Sequence, residues 1–270
     1  GRFGAPELGG VGCGYATAIV MWLELLLMTT QLFRAHFRRT RVTARFDLPN
    51  IATIANIFRI GLPIGLSSFI SMAIFSVIGF MVGTLGVVPL AAHSIAGNIN
   101  WATFVIPMAI GGAASIRVGL TVGAGDYAGA RAVSATAIKL ALAYALLVSL
   151  LLVLFRHDVV LLYSQDADVL AMAATLILII AVYQIADATQ GTAIGSLRGY
   201  KDTRAPMIFA LVGYWIIALP VAAYFGFGDY GVYGFWAGMA IGAALVALAS
   251  GLRLRSTSRN EARIKQFSGL

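Results

Sequence analysis

Residues 60–116 read IGLPIGLSSFISMAIFSVIGFMVGTLGVVPLAAHSIAGNINWATFVIPMAIGGAASI, which is 57 residues without an Asp, Glu, Lys or Arg. A helix needs about 20 apolar residues to cross the hydrocarbon core of a bilayer, so a single helix of this length would extend far beyond the membrane. Gly86, Pro89 and the small residues around them interrupt the stretch near its middle. We therefore predict two membrane-spanning helices here.

The composition of the whole chain extends this interpretation. Of its 270 residues, 60% are hydrophobic and 11% are charged, whereas about 25% are charged in typical soluble domains. This composition excludes an ordinary soluble protein. The 30 glycines are best explained as close contacts between membrane helices. Apolar stretches between helix-breaking residues predict an all-α polytopic membrane protein with seven spans, at about 11–33, 62–85, 94–116, 133–155, 169–195, 206–226 and 231–252.

The basic residues are distributed unevenly between the two sides of these spans. Arg2 and Arg156 are the only Lys or Arg residues in the connections of one side. Because cytoplasmic loops collect Lys and Arg, the asymmetry predicts an outside N-terminus and a cytoplasmic C-terminus. The same rule explains the net charge of +8 without a nucleic-acid partner. The sixteen basic residues of the other side are Arg34, Arg38, Arg39, Arg41, Arg45, Arg59, Arg117, Arg131, Arg198, Lys201, Arg204, Arg253, Arg255, Arg259, Arg263 and Lys265.

The order of the spans predicts how the chain is organised. An odd number of spans that begins outside, with Gly1 in place of an initiator Met, is typical of the C-terminal part of a longer protein. The Arg-rich stretch 34–48 and the following Pro49 indicate a linker. We therefore predict a single helix in 1–33, a cytoplasmic linker in 34–58, a six-helix unit in 59–252 and a cytoplasmic tail in 253–270.

Asp187 is the most informative residue of the fifth span, because ionisable groups are costly inside a membrane. At helical spacing, Tyr183, Asp187 and Gln190 share one stripe of the helix, and Gln184 lies beside it. Such groups should face the interior of a helix bundle or a water-filled cavity. Two explanations stay open for Asp187. It is either a buried acid that holds helices together or a titratable acid that binds a proton, a metal ion or a cationic substrate.

Other polar residues inside the spans are candidates for a cavity. Glu24 lies near the centre of the first span without a polar stripe, so a pairing with another helix and a functional role both stay open. Ser67 and Ser71 are one turn apart in the second span, and Asn98 lies in the third. Hydrogen bonds between helices and the lining of a cavity are alternative explanations for these three residues.

The residue patterns of common catalytic and metal sites do not occur. Cys13 is the only cysteine, which excludes an intrachain disulfide and a Cys-based metal site. The three histidines, His36, His93 and His157, are scattered over different loops and span ends, without an HExxH pattern or nearby paired carboxylates. The sequence therefore favours a protein that is not an enzyme and that carries no cofactor.

Several Gly-rich stretches are weak signals individually, but their order and spacing together form a specific pattern. They are GLPIGLSSF at 61–69, LAAHSIAGNI at 90–99, RVGLTVGAGDYAGAR at 117–131, YQIADATQGTAIGSLRGYKDTRAPM at 183–207 and WAGMAIG at 236–242. Together they resemble the C-terminal lobe of multidrug and toxic compound extrusion transporters, the MATE family, most closely its NorM-like branch. GRFGAPELGGVGCGYATA at 1–18 is similar to the loop and the start of the last helix in the N-terminal lobe. The resemblance thus covers nearly the whole chain.

The resemblance implies a fragment of a twelve-helix, two-lobe transporter in the bacterial inner membrane, whose partner here is the rest of the N-terminal lobe. Such an antiporter exports small organic cations, drugs or toxic metabolites by alternating access, in exchange for H⁺ or Na⁺. Asp187 and Tyr183 fall on the family's cation-site motif, and Asp187 would be the metal ligand if the coupling ion is Na⁺. The NorM-like pattern places a Glu where this chain has Ser71, so that position lacks a carboxylate.

Two other functions fit parts of the same pattern. A flippase for lipid-linked oligosaccharides belongs to the same superfamily, but a more cationic cavity is expected of it. A seven-helix receptor has the right number of spans, but it does not explain the polar stripe around Asp187 or the family stretches. We therefore expect a transporter.

Overall fold

The computed structural model describes residues 9–32 and 50–268, and these residues form helices joined by short turns, without a β-strand. Seven of the described helices are long and apolar enough to cross a membrane, which confirms the all-α prediction and the number of spans. Two short helices, α5 and α9, complete the described part. In chain order the helices are α1 (Gly9–Leu32), α2 (Ile51–Gly83), α3 (Val87–Gly123), α4 (Tyr127–Leu154), α5 (Arg156–Leu161), α6 (Ala167–Gly199), α7 (Arg204–Gly226), α8 (Gly231–Arg259) and α9 (Glu261–Ser268).

Several helices are longer than the predicted spans. Helix α2 begins at Ile51, inside the segment predicted as a linker, and α8 continues to Arg259, inside the predicted tail. The side chain of Asn50 explains the early start of α2, because its Oδ1 accepts hydrogen bonds from the backbone N–H groups of Ala52 and Thr53 at 2.9 and 3.3 Å. Hydropathy marks only the part of a helix that lies in hydrocarbon. The rest of the predicted linker, 34–49, lies outside the described residues.

The chain divides into two compact units between Ile54 and Ala55. In the first unit, helix α1 exposes its side chains along most of its length, including those of Glu24 and Cys13. The second unit contains the helices from α2 onwards, apart from the first turn of α2.

Helix α6 is the most buried spanning helix of the second unit, and it packs against α3, α4 and α8. Two of its apolar side chains, those of Ile177 and Ile180, are completely inaccessible to solvent. Because α6 is enclosed by three other helices, the polar stripe around Asp187 is held inside the bundle and away from lipid.

Glycines allow the backbones of neighbouring helices to touch. A Cβ atom on Gly195 of α6 would overlap the backbone of Gly111 in α3, and one on Gly238 of α8 would lie 2.5 Å from the backbone N and Cα of Ala222 in α7. Both glycines belong to runs with a spacing of four residues, which places small residues along one side of a helix. The runs are Gly191, Gly195 and Gly199 in α6, and Gly234, Gly238 and Gly242 in α8. These contacts confirm the interpretation of the glycines for both helix pairs.

Segments predicted to be cytoplasmic meet at one end of the second unit. Asp202, in the turn between α6 and α7, pairs with Arg253 of α8 at 2.6 Å and accepts a hydrogen bond from Thr257 at 3.2 Å. Arg131 of α4 donates to the backbone carbonyl oxygen of Ser258 at 3.2 Å. We call this end the basic end, and its assignment to the cytoplasm stays a prediction.

The ion pair at the basic end leads to a prediction about stability. Asp202 is 3% exposed, so replacing Arg253 by Gln should leave a buried carboxylate without its cation. We expect the free energy of unfolding to fall by about 2 kcal/mol, below the range for fully buried pairs because the Arg253 side chain is 29% exposed. Thermal unfolding of the purified protein measures this change. Arg259→Gln is the control, because Arg259 is exposed near the end of the same helix, and an equal loss in both variants would contradict the prediction.

Candidate functional site

Helix α6 carries the predicted site, and both of its ends are fixed by local interactions. At its start, the side chain of Asp166 accepts hydrogen bonds from the backbone N–H groups of Asp168 and Val169 at 3.0 and 3.1 Å. An acidic cap at this position also complements the helix dipole. At its end, Lys201 adopts a left-handed conformation with φ of 60° and turns the chain towards α7. These ends hold the middle of α6, where Asp187 lies, at a fixed height in the bundle.

The carboxylate of Asp187 belongs to a buried network that joins α6 to α7. Asp187 is 6% exposed, and its Oδ1 accepts a hydrogen bond from Nε2 of Gln190 at 2.7 Å. The same Gln190 nitrogen donates to the hydroxyl group of Tyr214 in α7. The side chain of Tyr183 lies close to those of Tyr214 and Asp187. Tyr183, Asp187, Gln190 and Tyr214 are called the Asp187 network below.

Tyr214 is the member of this network that sequence reasoning missed. It lies in the part of α7, Leu211–Ala218, that is wound as a π-helix. Such wider turns are rare and are often found at functional sites. A tyrosine next to Gly213 in an otherwise apolar span was the available signal, but neither residue type predicts a π-helix. The neighbouring Trp215 donates to the backbone carbonyl oxygen of Ile70 at 3.1 Å and so ties this segment to α2.

The network offers oxygen atoms of several kinds to a proton or a small cation. Asp187 supplies a carboxylate, Tyr183 and Tyr214 supply hydroxyl groups, and Gln190 supplies an amide oxygen. This Oε1 atom of Gln190 is buried and has no hydrogen-bond partner among the described residues. No group of three His, Cys, Asp or Glu side chains suited to a metal ion occurs within 9–32 and 50–268. A bound Na⁺ would therefore depend on the neutral oxygens as well as on Asp187.

The ring of Tyr183 belongs to an aromatic cluster to which four helices contribute one side chain each. Phe75 of α2 and Trp236 of α8 lie edge-on to Tyr183, with centroid distances of 6.5 and 6.0 Å. His93 of α3 packs on Trp236 at 5.6 Å. Nδ1 of His93 and Nε1 of Trp236 are buried and lack a hydrogen-bond partner in the described part of the chain. Aromatic faces are suited to an organic cation, and an unprotonated Nδ1 of His93 could accept a hydrogen bond from it, whereas the indole N–H of Trp236 can only donate.

Gln184 is not part of the Asp187 network and is bonded to a different helix. Its Oε1 accepts a hydrogen bond from the hydroxyl group of Thr103 in α3 at 3.1 Å. Its Nε2 is buried and has no partner within the described ranges. Gln184 therefore links α6 to α3, whereas Gln190 links α6 to α7.

The structure does not bring the remaining candidates into the network. Ser67 is buried and Ser71 is half-buried on α2, and neither is bonded to the network among the described residues. Asn98 is exposed and accepts a hydrogen bond from the hydroxyl group of Tyr163 at 2.9 Å. Tyr163 precedes the start of α6, whereas Asp187 lies 20 residues into that helix, about 30 Å along its axis. Glu24 belongs to the first unit, and both explanations for it, a pairing with another helix and a functional role, stay open.

A family model described as MatE matches residues 63–224, which is more than half of the chain. The chain belongs to the MatE family. The matched region runs from α2 into α7 and includes the whole Asp187 network. Membership confirms the resemblance that the Gly-rich stretches suggested, and it leaves no support for a seven-helix receptor.

Curated relatives place the chain in the NorM-like branch of this family. It is 40% identical over 270 residues to the multidrug resistance protein NorM of Aliivibrio fischeri, covering 98% of this chain and 59% of that protein. It is 38% identical over 263 residues to the multidrug resistance protein NorM of Photobacterium profundum, covering 94% of this chain and 57% of that protein. The chain thus spans less than two thirds of the length of these relatives.

The fold is also that of solved MATE structures. The crystal structure of the eukaryotic MATE transporter AtDTX14 superimposes with a TM-score of 0.85, covering 96% of this chain and 60% of that one, at 21% sequence identity. This similarity and the seven apolar helices establish a multi-pass membrane protein with the MATE fold.

Proposed function

We propose that the chain is part of a cation-coupled multidrug antiporter, in which Asp187 binds the coupling ion. Residues 59–252 are assigned to the C-terminal lobe, 1–33 to the last helix of the N-terminal lobe, 34–58 to the linker between them and 253–270 to a tail. The basic end faces the cytoplasm of a bacterial cell, and the protein lies in the inner membrane. The N-terminal lobe completes the transporter.

The observation that carries this proposal is the burial of Asp187 in the middle of a membrane-spanning helix. A carboxylate in this place is costly to retain for packing alone. One of its oxygens already accepts from Gln190, which fixes the direction of the carboxylate. A positioned carboxylate among hydroxyl and amide oxygens is suited to hold a proton or Na⁺.

The mechanism couples this ion to an organic cation. When the site is open to the side of high ion concentration, the ion binds Asp187 and neutralises it. When the site faces the cytoplasm, the ion leaves, and a cationic substrate binds to the negative charge and to aromatic faces such as that of Trp236. Rocking of the two lobes exposes the site alternately to the two sides. The exchange works because ion and substrate need the same carboxylate.

The proposal is tested with the full-length protein that contains this chain, reconstituted in lipid vesicles. Uptake or release of a fluorescent organic cation is followed after an imposed H⁺ gradient in one set and a Na⁺ gradient in another. We expect transport in one set, and its loss when an ionophore dissipates that gradient. Transport that is equal with and without either gradient would contradict ion coupling, and no transport of cations at all would contradict the substrate class.

Gln190 provides a first variant for this assay. Replacing it by Leu removes the hydrogen-bond donor shared by Asp187 and Tyr214. We expect gradient-driven transport to fall about tenfold, which is the effect of losing one charge-assisted hydrogen bond. The ion concentration that gives half-maximal transport should also change, which a purely structural role of Gln190 does not explain.

The control for this variant is Thr175→Val. Thr175 is exposed on the same helix, and its hydroxyl group donates to the carbonyl oxygen of Ala171. Unaltered transport in Gln190→Leu, or an equal loss in the control, would remove Gln190 from the site.

A further inference from the structure

A surface groove runs between α6 and α8. It lies on a different face of α6 from the one that carries the Asp187 network. It has a volume of about 570 Å³. Apart from Thr189 and one arginine, its walls are formed by aliphatic side chains and a glycine. The hydroxyl group of Thr189 already donates to the carbonyl oxygen of Ile185 at 2.7 Å, so the groove is apolar along most of its length. Its lining residues are Val182, Ile185, Ala186 and Thr189 of α6, and Ala244, Ala247, Leu248, Gly251, Leu252 and Arg255 of α8.

The length of the groove matches one leaflet of a bilayer. Ala244 lies near the middle of α8, and Arg255 lies close to the end of this helix. The eleven residue steps from Ala244 to Arg255 correspond to about 16 Å of helix. Half of the hydrocarbon thickness of a typical bilayer is about 15 Å. The groove therefore has the dimensions of a single acyl chain that reaches from the surface of one leaflet to the midplane.

The charge in the groove lies where a lipid headgroup would be. Arg255 is the only charged residue of the lining, it is exposed, and it lies at the basic end of the unit. The planar guanidinium group is suited to bind a phosphate group through two hydrogen bonds. The cytoplasmic leaflet, which the basic end is predicted to face, is rich in anionic lipids. A neutral lipid would satisfy the apolar walls but would gain less from Arg255.

We propose that this groove binds an anionic phospholipid of the cytoplasmic leaflet, with one acyl chain between α6 and α8 and the phosphate group at Arg255. The two parts of the lipid are recognised by different residues, so they can be tested separately. The proposed lipid site can be tested independently of ion coupling at Asp187, because lipid binding is measured without transport.

The experiment is native mass spectrometry of the full-length protein in detergent, titrated with phosphatidylglycerol or with phosphatidylcholine of the same acyl chains. Arg255→Gln should weaken phosphatidylglycerol binding about fivefold, which is the effect of one basic residue near an anionic headgroup. Phosphatidylcholine has the same phosphate group beside a compensating choline cation, so its binding should weaken less than that of phosphatidylglycerol. Gly251→Leu should weaken both lipids, because a Cβ atom on Gly251 meets nothing within 4 Å and the larger side chain occupies the groove.

The controls separate this site from general surface charge and from misfolding. Arg259→Gln removes an exposed arginine one turn further along α8, outside the groove, and should leave both affinities unchanged. Melting temperatures of the variants show whether the fold is intact. If Gly251→Leu is unstable, Ala244→Leu replaces it, since Ala244 is an exposed residue of the same groove.

Three results would overturn the proposal. The first is equal affinity of the unaltered protein for the two lipids. The second is unchanged phosphatidylglycerol binding in both Arg255→Gln and the groove-filling variant, which would indicate that another part of the protein or a second copy covers the groove. The third is an equal loss of phosphatidylglycerol affinity in Arg259→Gln, which would show that the effect of Arg255→Gln comes from general surface charge.

Discussion

Asp187→Asn abolishes gradient-driven transport, with a decrease of at least a hundredfold, if Asp187 binds the coupling ion. Asn has nearly the same shape as Asp and keeps an oxygen that can accept the hydrogen bond from Gln190. It carries no charge and binds no proton, so neither H⁺ nor Na⁺ can be exchanged at this position. The vesicle assay with a fluorescent cation measures the loss.

The same variant should leave the stability of the protein unchanged or slightly improved, because a buried charge is removed without a change in volume. The matched control is Asp229→Asn, since Asp229 is exposed in the turn between α7 and α8. Transport by Asp229→Asn should equal that of the unaltered protein. Normal transport by Asp187→Asn would show that Asp187 is a structural acid, which is the other explanation that the sequence left open.

The number of spans could be predicted from the sequence because it depends on one physical requirement. A helix that crosses hydrocarbon has to exclude charge over about 20 residues, and the distribution of charge is visible directly in the sequence. The ends of the helices depend on something else. The side chain of Asn50 caps α2 in a polar segment where hydropathy carries no signal, and this start lies well before the apolar stretch.

Only those residues of the candidate site that lie on a single helix, α6, could be predicted from the sequence. The spacing of Tyr183, Asp187 and Gln190 fixes a common stripe. The structure joins Asp187 to Gln190 through a hydrogen bond and places Tyr183 close to Asp187. Periodicity along α6 carries no information about which helix faces this stripe. Tyr214 was missed for this reason, since its place depends on the packing of α7 and on its π-helical turns. Asn98 was included because it is polar in a span, although its partner Tyr163 lies near the start of α6.

Gly195→Ala should be among the most destabilising single-methyl changes in the second unit. The added Cβ atom would lie 2.6 Å from the carbonyl carbon and 2.7 Å from the Cα atom of Gly111, and it would overlap the carbonyl oxygen as well. These are backbone atoms, so no side chain can rotate away, and α3 and α6 have to separate. We expect a loss of about 3 kcal/mol in the free energy of unfolding. Thermal unfolding of the purified full-length protein measures it.

The position next to the crossing provides the matched control, because Gly112 follows Gly111 in α3 but a Cβ atom there meets nothing within 4 Å. Gly112→Ala should raise the stability by about 0.5–1 kcal/mol, since alanine favours a helix more than glycine does. The same substitution is thus expected to have opposite signs at two sites, according to whether another backbone lies in contact. A melting temperature of Gly195→Ala equal to that of Gly112→Ala would contradict the close crossing of α3 and α6. Because α6 carries Asp187, Gly195→Ala should also lower gradient-driven transport, whereas Gly112→Ala should not.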